Sequence, residues 1–533
     1  MARSLVSTAL AFAVLLVLAV QAGAIQKTGA TEDWPSLRFH FTLKRDTMKI
    51  HGKSAFDIYG NPILTKTNTV LYDAFATFTE RQTLYNYTLL HGIAYSSSVP
   101  YSGSPADDHK AKPTVACLDK ETAKLPSINA IVAAINQATS VKKVAGTNID
   151  CSGGNLFKVM VNRVEFALCA SGSAGLKLQG TDMDISVEFL ESHIDILVPR
   201  LAEKKRLHCN SVASPSSITP VGKAVLTGQA VPHSARNLKA EGSFTIGSKP
   251  SCSCKSTPRP CVFIHGLGVS DETPQNEDQF VNYWSNHLSG HTPCCSSLKF
   301  AHLNTVNSTW TSPELQSKVC NRALTASNTS TKSAITDTIV VTHSMGNLMF
   351  AGALASGKCS LGASSTWVGM AGPMKGSMCS DFIQDSCAGK TNIIWEKIGS
   401  ITGRCPANIG LKSLAYENGN YSSKELNSAY AAAQEVYRTK VSALMCGKSY
   451  SGLTSKYQAQ FWGLGSMVPH KGPNDGMVAF QSCSAGFPES KFGNNYRDRF
   501  YATKLNHYDM QFRAGDSIMD EQKMPVKWFE CLL

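Results

Sequence analysis

The chain has 533 residues, 43% of them hydrophobic and 17% charged, with a formal net charge of +12. That composition excludes a disordered chain, and the length exceeds what one ordinary core fills, so two domains are expected. The positive charge is scattered, Lys204-Lys205-Arg206 is the one tight basic cluster, and no nucleic-acid motif occurs, so nucleic acid is not an expected partner.

Arg3 followed by the unbroken apolar run Ala9 to Val20 and the small-x-small site Ala22-Gly23-Ala24 predicts a signal peptide over 1–24. The apolar run is too short for a comfortable membrane span. Export implies a secreted protein or one of the secretory-pathway lumen. All 17 cysteines lie beyond the signal, so in an oxidising compartment most are expected in disulfides. The number is odd, and Cys531 is a candidate for the unpaired one. Cys252-Ser-Cys254 has no matching second pair and reads as disulfide cysteines rather than a metal site. Asn86, Asn307, Asn328 and Asn420 stand in glycosylation sequons.

Residues 26–245 read as a β-rich α+β domain, a curved sheet or partial barrel. Leu37, Phe39, Phe41 and Leu43 alternate with polar residues, as do Val159 and Val161, Val164, Phe166 and Leu168, and Ile185, Val187 and Phe189. Period two places one face on a core and the other in water. A helix is predicted over Ser127 to Thr139, capped by Ser127, with Ile128, Ile131, Val132 and Ile135 as its apolar stripe. The role of this domain is open: binding of lipid, glycan or a partner, or a chaperone-like prodomain.

Residues from about 211 to 259 are rich in Ser, Pro, Gly, Thr and Lys, and a linker is placed at 246–259. From Cys261 the pattern changes to short, wholly apolar runs, Cys261 to Ile264, Thr338 to Thr342 and Trp367 to Met370. Helical patterns at Glu277 to Leu288 and Asn347 to Ala355 alternate with them, which predicts a parallel sheet. A cap-like insert is expected over about 380–470. It holds a long helix over Ser423 to Cys446 with Leu426, Tyr430, Ala433, Tyr437, Val441 and Leu444 on one stripe, either covering a site or packing in the core.

The chemistry is carried by Thr338-Ile-Val-Val-Thr-His-Ser344-Met-Gly346, a strand running into a tight turn and then a helix, with the serine at the apex. It resembles the nucleophile elbow of the α/β hydrolases, with Thr342 where Gly is usual. Cys261-Val-Phe-Ile-His265-Gly266-Leu267-Gly268 resembles the strand end and oxyanion loop of lipases of that fold. Trp367-Val-Gly-Met-Ala-Gly372-Pro373-Met-Lys-Gly376-Ser377 resembles the strand and Gly-Thr-Pro-x-x-Gly-Ser loop of bacterial true lipases. Asn474-Asp475-Gly-Met-Val478 and Asn506-His507-Tyr-Asp509 resemble the motifs that hold the acid and base of bacterial true lipases. These five blocks cover about residues 260–515, and nothing similar covers the N-terminal domain.

The resemblance implies an α/β-hydrolase fold over 260–533, a mostly parallel sheet flanked by helices. It assigns Ser344 as nucleophile, His507 as base, Asp475 as acid, and Leu267 and Met345 as oxyanion donors, with His265, Gly266 and Gly346 in support. His470 is the rival base but precedes Asp475 and breaks the expected chain order. Asp498 is the rival acid but stands unusually near the histidine. Asp509 matches one calcium-holding acid of those lipases, yet Ser449 to Pro473 contains no Asp or Glu, so neither metal nor cofactor is expected. The implied activity is hydrolysis of a carboxylic ester, lipase- or esterase-like, with a lipid or other ester as substrate and peripheral contact with a lipid surface. The alternatives are an acyltransferase, phospholipase or thioesterase with the same triad, or a non-catalytic binding protein on the same scaffold.

Overall fold

The computed structural model describes residues 34–100, 113–118, 125–197, 209–232, 241–247, 249–391, 405–455 and 457–533. The expected signal peptide and the Lys204-Lys205-Arg206 cluster lie outside the described residues.

The dominant element is a sheet of 13 strands between Ser36 and Thr245. Its order is Glu241–Thr245, Thr139–Ala145, Asn155–Val161, Val164–Ala170, Leu176–Gly180, Met183–Leu190, Ser36–Leu43, Ala55–Leu64, Thr69–Glu80, Thr83–Leu90, Ile93–Pro100 and Thr114–Leu118, with Ser216–Ser217 beside Thr69–Glu80. Most neighbours follow one another in sequence through short turns, so the pairs are antiparallel; Glu241–Thr245 pairs in parallel with Thr139–Ala145. The alternation read from the sequence is the burial observed, with Leu37, Phe39, Phe41, Val159, Val161, Phe166, Leu168, Ile185 and Val187 all in the core. Helix Ile128–Asn136 packs on this sheet through Ile128, Ile131, Val132 and Ile135, and Ser127 caps it by accepting from the Ala130 N–H. Asn129 locks it down, its amide bonding both the N–H (2.8 Å) and the C=O (2.9 Å) of Tyr72.

A second sheet has six strands in the order Cys295–Ala301, Arg259–Ile264, Ile339–His343, Thr366–Met370, Ala443–Gly447 and Phe500–Thr503, parallel throughout. Alternate residues point to opposite faces. Val262, Ile264, Val340, Trp367 and Leu444 join a core with helices Pro313–Leu324, Met345–Ala355 and Lys424–Lys440. Cys261, Phe263, Ile339, Val341, Val368 and Met445 join a core that is continuous with the interior of the large sheet.

The fold class expected for the chain is therefore corrected. It is not an α/β-hydrolase fold with a mostly parallel sheet flanked by helices: a 13-stranded, largely antiparallel sheet dominates, and strand outweighs helix. The physical cause is that the second face of the smaller sheet is covered by apolar surface shared with the large sheet and by the short helix Pro525–Cys531, not by a full layer of helices.

Two predicted helices also change. Over Glu277 to Leu288 the helix shrinks to Val281–Trp284, because Glu277 instead pairs as extended chain with Phe300. The helix expected to reach Cys446 ends at Lys440, and the buried run Ala443–Gly447 is a strand of the parallel sheet. Its Tyr430, Ala433 and Tyr437 are fully buried near the elbow helix, so this is a core-packing helix.

Among the described residues eight disulfides are present. They fit an oxidising, extracellular or secretory compartment. Cys531 is not the unpaired cysteine: it bonds Cys252, while Cys254 bonds Cys294, and the free thiol is the buried Cys379.

Candidate active site

Strand Ile339–His343 is buried along its whole length and stops at Ser344, where the chain reverses into helix Met345–Ala355. Ser344 sits at φ 54°, ψ −130°, a conformation that costs an L-residue roughly 1–3 kcal/mol. The cost is met locally: the Ser344 N–H donates to Met370 O (2.9 Å), and its carbonyl accepts from the Asn347 N–H (3.0 Å) and side-chain amide (3.1 Å). Close approach demands the neighbouring glycines. A Cβ on Gly346 would lie 2.6 Å from Ile264 O, and one on Gly266 would lie 2.5 Å from the Ser344 Cβ.

Thr342, the odd residue of the elbow, is accommodated by its hydroxyl. It donates to Asn347 Oδ1 (2.6 Å) and accepts from Trp367 Nε1 (2.8 Å), tying strand, elbow helix and neighbouring strand together. A glycine there would leave the indole N–H without this acceptor.

Ser344, His507 and Asp475 are brought together. His507 Nε2 is 2.9 Å from Ser344 Oγ, and His507 Nδ1 is 2.8 Å from Asp475 Oδ2. A carboxylate only accepts, so Nδ1 carries the proton and Nε2 is left free to accept from the serine hydroxyl. The other carboxylate oxygen, Asp475 Oδ1, accepts from the N–H groups of Met477 (2.9 Å) and Val478 (2.7 Å), which fixes its plane. A main-chain bond from the His507 N–H to Asp475 O (2.9 Å) ties the two loops. Serine, histidine and aspartate are 7%, 2% and 1% exposed, so water is largely excluded from the hydrogen bonds between them.

The loop carrying His507 is braced by its own neighbours. Asn506 Oδ1 accepts from the N–H groups of Tyr508 and Asp509 (both 3.0 Å), while Asp509 Oδ2 accepts from those of Asn506 (3.1 Å) and Leu453 (2.7 Å). Asp509 thus acts as a hydrogen-bonding residue, and burial pushes its carboxyl up to about 7. Among the described residues no group of three or more His, Cys, Asp or Glu side chains is arranged to hold a metal ion.

The rival residues take other partners, although His470 lies close enough to Asp475 to feel its charge. His470 meets Gly476 O at 3.4 Å, and Asp498 accepts from the Asn495 N–H.

His265 is fully buried beneath the loop that follows its strand. Its Nε2 accepts from the Leu303 N–H (3.0 Å), so its proton is on Nδ1, which donates to Gly266 O (2.7 Å). The Thr305 hydroxyl donates to the same carbonyl (3.0 Å). Burial lowers the His265 pKa to about 4, so the ring is neutral at pH 7. A trans peptide with its C=O pinned this way turns the next N–H, that of Leu267, to the opposite side.

Two residues around the site escaped the sequence reading, Tyr283 and His343. His343 stands inside the elbow motif itself, which was the available signal. Tyr283 sits in a segment expected to be an ordinary helix, and only the tertiary structure brings it under the site. Of the sequon asparagines, Asn307, Asn328 and Asn420 are exposed, and Asn86 is half-buried in strand Thr83–Leu90.

No family model matches the chain, and no curated protein matches its sequence. Among solved structures, the lipase of Staphylococcus hyicus is similar at 13% identity and a TM-score of 0.28, over 52% of this chain and 95% of that one. A likeness of that size assigns neither fold nor activity.

Proposed function

We propose that this chain is a serine hydrolase acting on carboxylic esters, with a lipid or other ester as substrate. One observation carries the reading: a hydroxyl, an imidazole and a carboxylate in series at 2.9 and 2.8 Å, with the hydroxyl on a strained turn. In this reading Ser344 Oγ attacks the ester carbonyl while His507 Nε2 takes its proton. Asp475 holds the ring's tautomer and stabilises the imidazolium. The carbonyl oxygen, now negative, accepts from the N–H groups of Leu267 and Met345. His507 then protonates the departing alcohol, and a water that it deprotonates releases the acyl group from Ser344. Two features support the oxyanion assignment: Met345 opens the elbow helix, whose N-terminal N–H groups have no partner inside the helix, and the Gly266 carbonyl is pinned away from the serine by His265 and Thr305.

The test is hydrolysis of a p-nitrophenyl ester series, together with labelling by a fluorophosphonate probe. Wild type is expected to turn over esters and to label at Ser344. Ser344→Ala is expected to lose roughly 10⁵–10⁶-fold in kcat and all labelling. Equal turnover by the two proteins would defeat the proposal.

A further inference from the structure

We infer that Tyr283 and His343 are positioning residues, which lock the oxyanion loop and the base to each other through one chain of hydrogen bonds. The inference rests on the hydrolase reading above. The chain starts at the Gly266 N–H, which donates to Tyr283 Oη (2.7 Å). Tyr283 Oη lies 2.7 Å from His343 Nδ1, and His343 Nε2 lies 3.0 Å from the carbonyl oxygen of His507.

Every proton in this chain is determined. A carbonyl oxygen only accepts, so His343 must carry its proton on Nε2. His343 is fully buried, and its pKa falls well below the ordinary value through burial and the neighbouring His507, so the ring is neutral and Nδ1 is an acceptor. Tyr283 must therefore donate to Nδ1, and its oxygen is left to accept from Gly266. Each link forces the next.

The ends of the chain explain its use. Gly266 precedes the proposed donor Leu267, and its backbone packs against Ser344. His507 is held at its carbonyl by His343, while its ring lies tilted at 57° over the His343 ring, with centroids 4.8 Å apart. Arg513 Nε fastens the tyrosine from behind by donating to Tyr283 O (3.0 Å). The loop and the base come from residues more than 200 positions apart, and this chain of bonds links them directly.

The experiment measures steady-state ester hydrolysis and thermal melting for Tyr283→Phe, His343→Asn and the double variant, with Ser344→Ala alongside. Tyr283→Phe keeps the ring that packs in the core and removes the bridging hydroxyl. Each single variant is expected to lose roughly 10- to 100-fold in kcat, the effect of a displaced catalytic group, with KM within about twofold. Because the bonds form one chain, the double variant is expected to be no worse than the poorer single one. Losses that multiply in the double variant, or a KM rise with kcat intact, would overturn the strut. So would kcat within twofold of wild type in a well-folded Tyr283→Phe. If Ser344→Ala still turns over, the hydrolase reading falls and the strut with it. If Ser344→Ala is inactive and Tyr283→Phe is unimpaired, the strut alone falls.

Discussion

The large sheet and the six-stranded sheet bury apolar surface in different ways. The large sheet grows by hairpins, so each strand keeps one face in the core and its partner is the next segment of chain. In the six-stranded sheet both faces are covered, and each strand finds its neighbours only after an excursion of the chain. Those excursions end in loops at one edge, where Leu267, Ser344, Asp475 and His507 converge. Six of the disulfides staple this half, while Cys117–Cys209 and Cys151–Cys169 serve the other, and none joins the two.

What joins them is apolar core and buried charge. Arg45 reaches Glu530 at 2.7 Å and Asp516 at 3.5 Å, the Thr47 hydroxyl donates to Asp516 at 2.8 Å, and Lys527 pairs with Asp182. The half that bears Ser344, Asp475 and His507 on its loops is thus coupled to the other half through a buried polar seam.

The separation can be broken or sharpened by measurement. The largest effect is expected within the site: Asp475→Asn keeps shape but loses the acceptor that selects the tautomer of His507, and should lower kcat by roughly 10⁴-fold. Kinetics with chemical denaturation alongside should find stability nearly unchanged.

Next comes the seam. Arg45→Met leaves Glu530 and Asp516 without their buried partner and should cost about 3–5 kcal/mol in denaturant unfolding. Turnover per folded molecule should persist, since Arg45 touches no residue of the site. A variant that folds as well as wild type but fails to turn over would reverse the comparison.

The third effect depends on pH. His265 has a folded pKa of about 4, below the ordinary value of 6.5. Between these values the unfolded chain binds a proton that the folded chain refuses, so stability is full above pH 6.5 and falls as the pH drops towards 4. The loss amounts to about 3 kcal/mol at most. It should appear as the difference in pH dependence between wild type and His265→Asn, in which the titrating ring is gone.

Much of this was legible along the chain because it depends on local periodicity and local motifs. Phe39, Phe41, Val159 and Ile185 announced buried faces, and Ser127 announced a helix cap, because alternation and capping are decided within a few residues. Ser344, Asp475 and His507 were legible because each stands in a short motif whose turn chemistry is local. Helix 277–288 misled because Tyr283 and Trp284 are buried by their neighbours in space, not by a helical stripe. The run to Cys446 misled because a buried strand and the end of an apolar helix look alike in one dimension.

By itself the sequence determined where chain reversals fall, which faces are apolar and which residues are fit for proton transfer, all properties of nearest neighbours. Only the tertiary structure decided which cysteine stays free, that the large sheet dominates the class, and that Tyr283 reaches from a distant loop to the elbow. Such contacts join residues hundreds of positions apart, and their choice depends on the packing of the whole chain rather than on any segment of it.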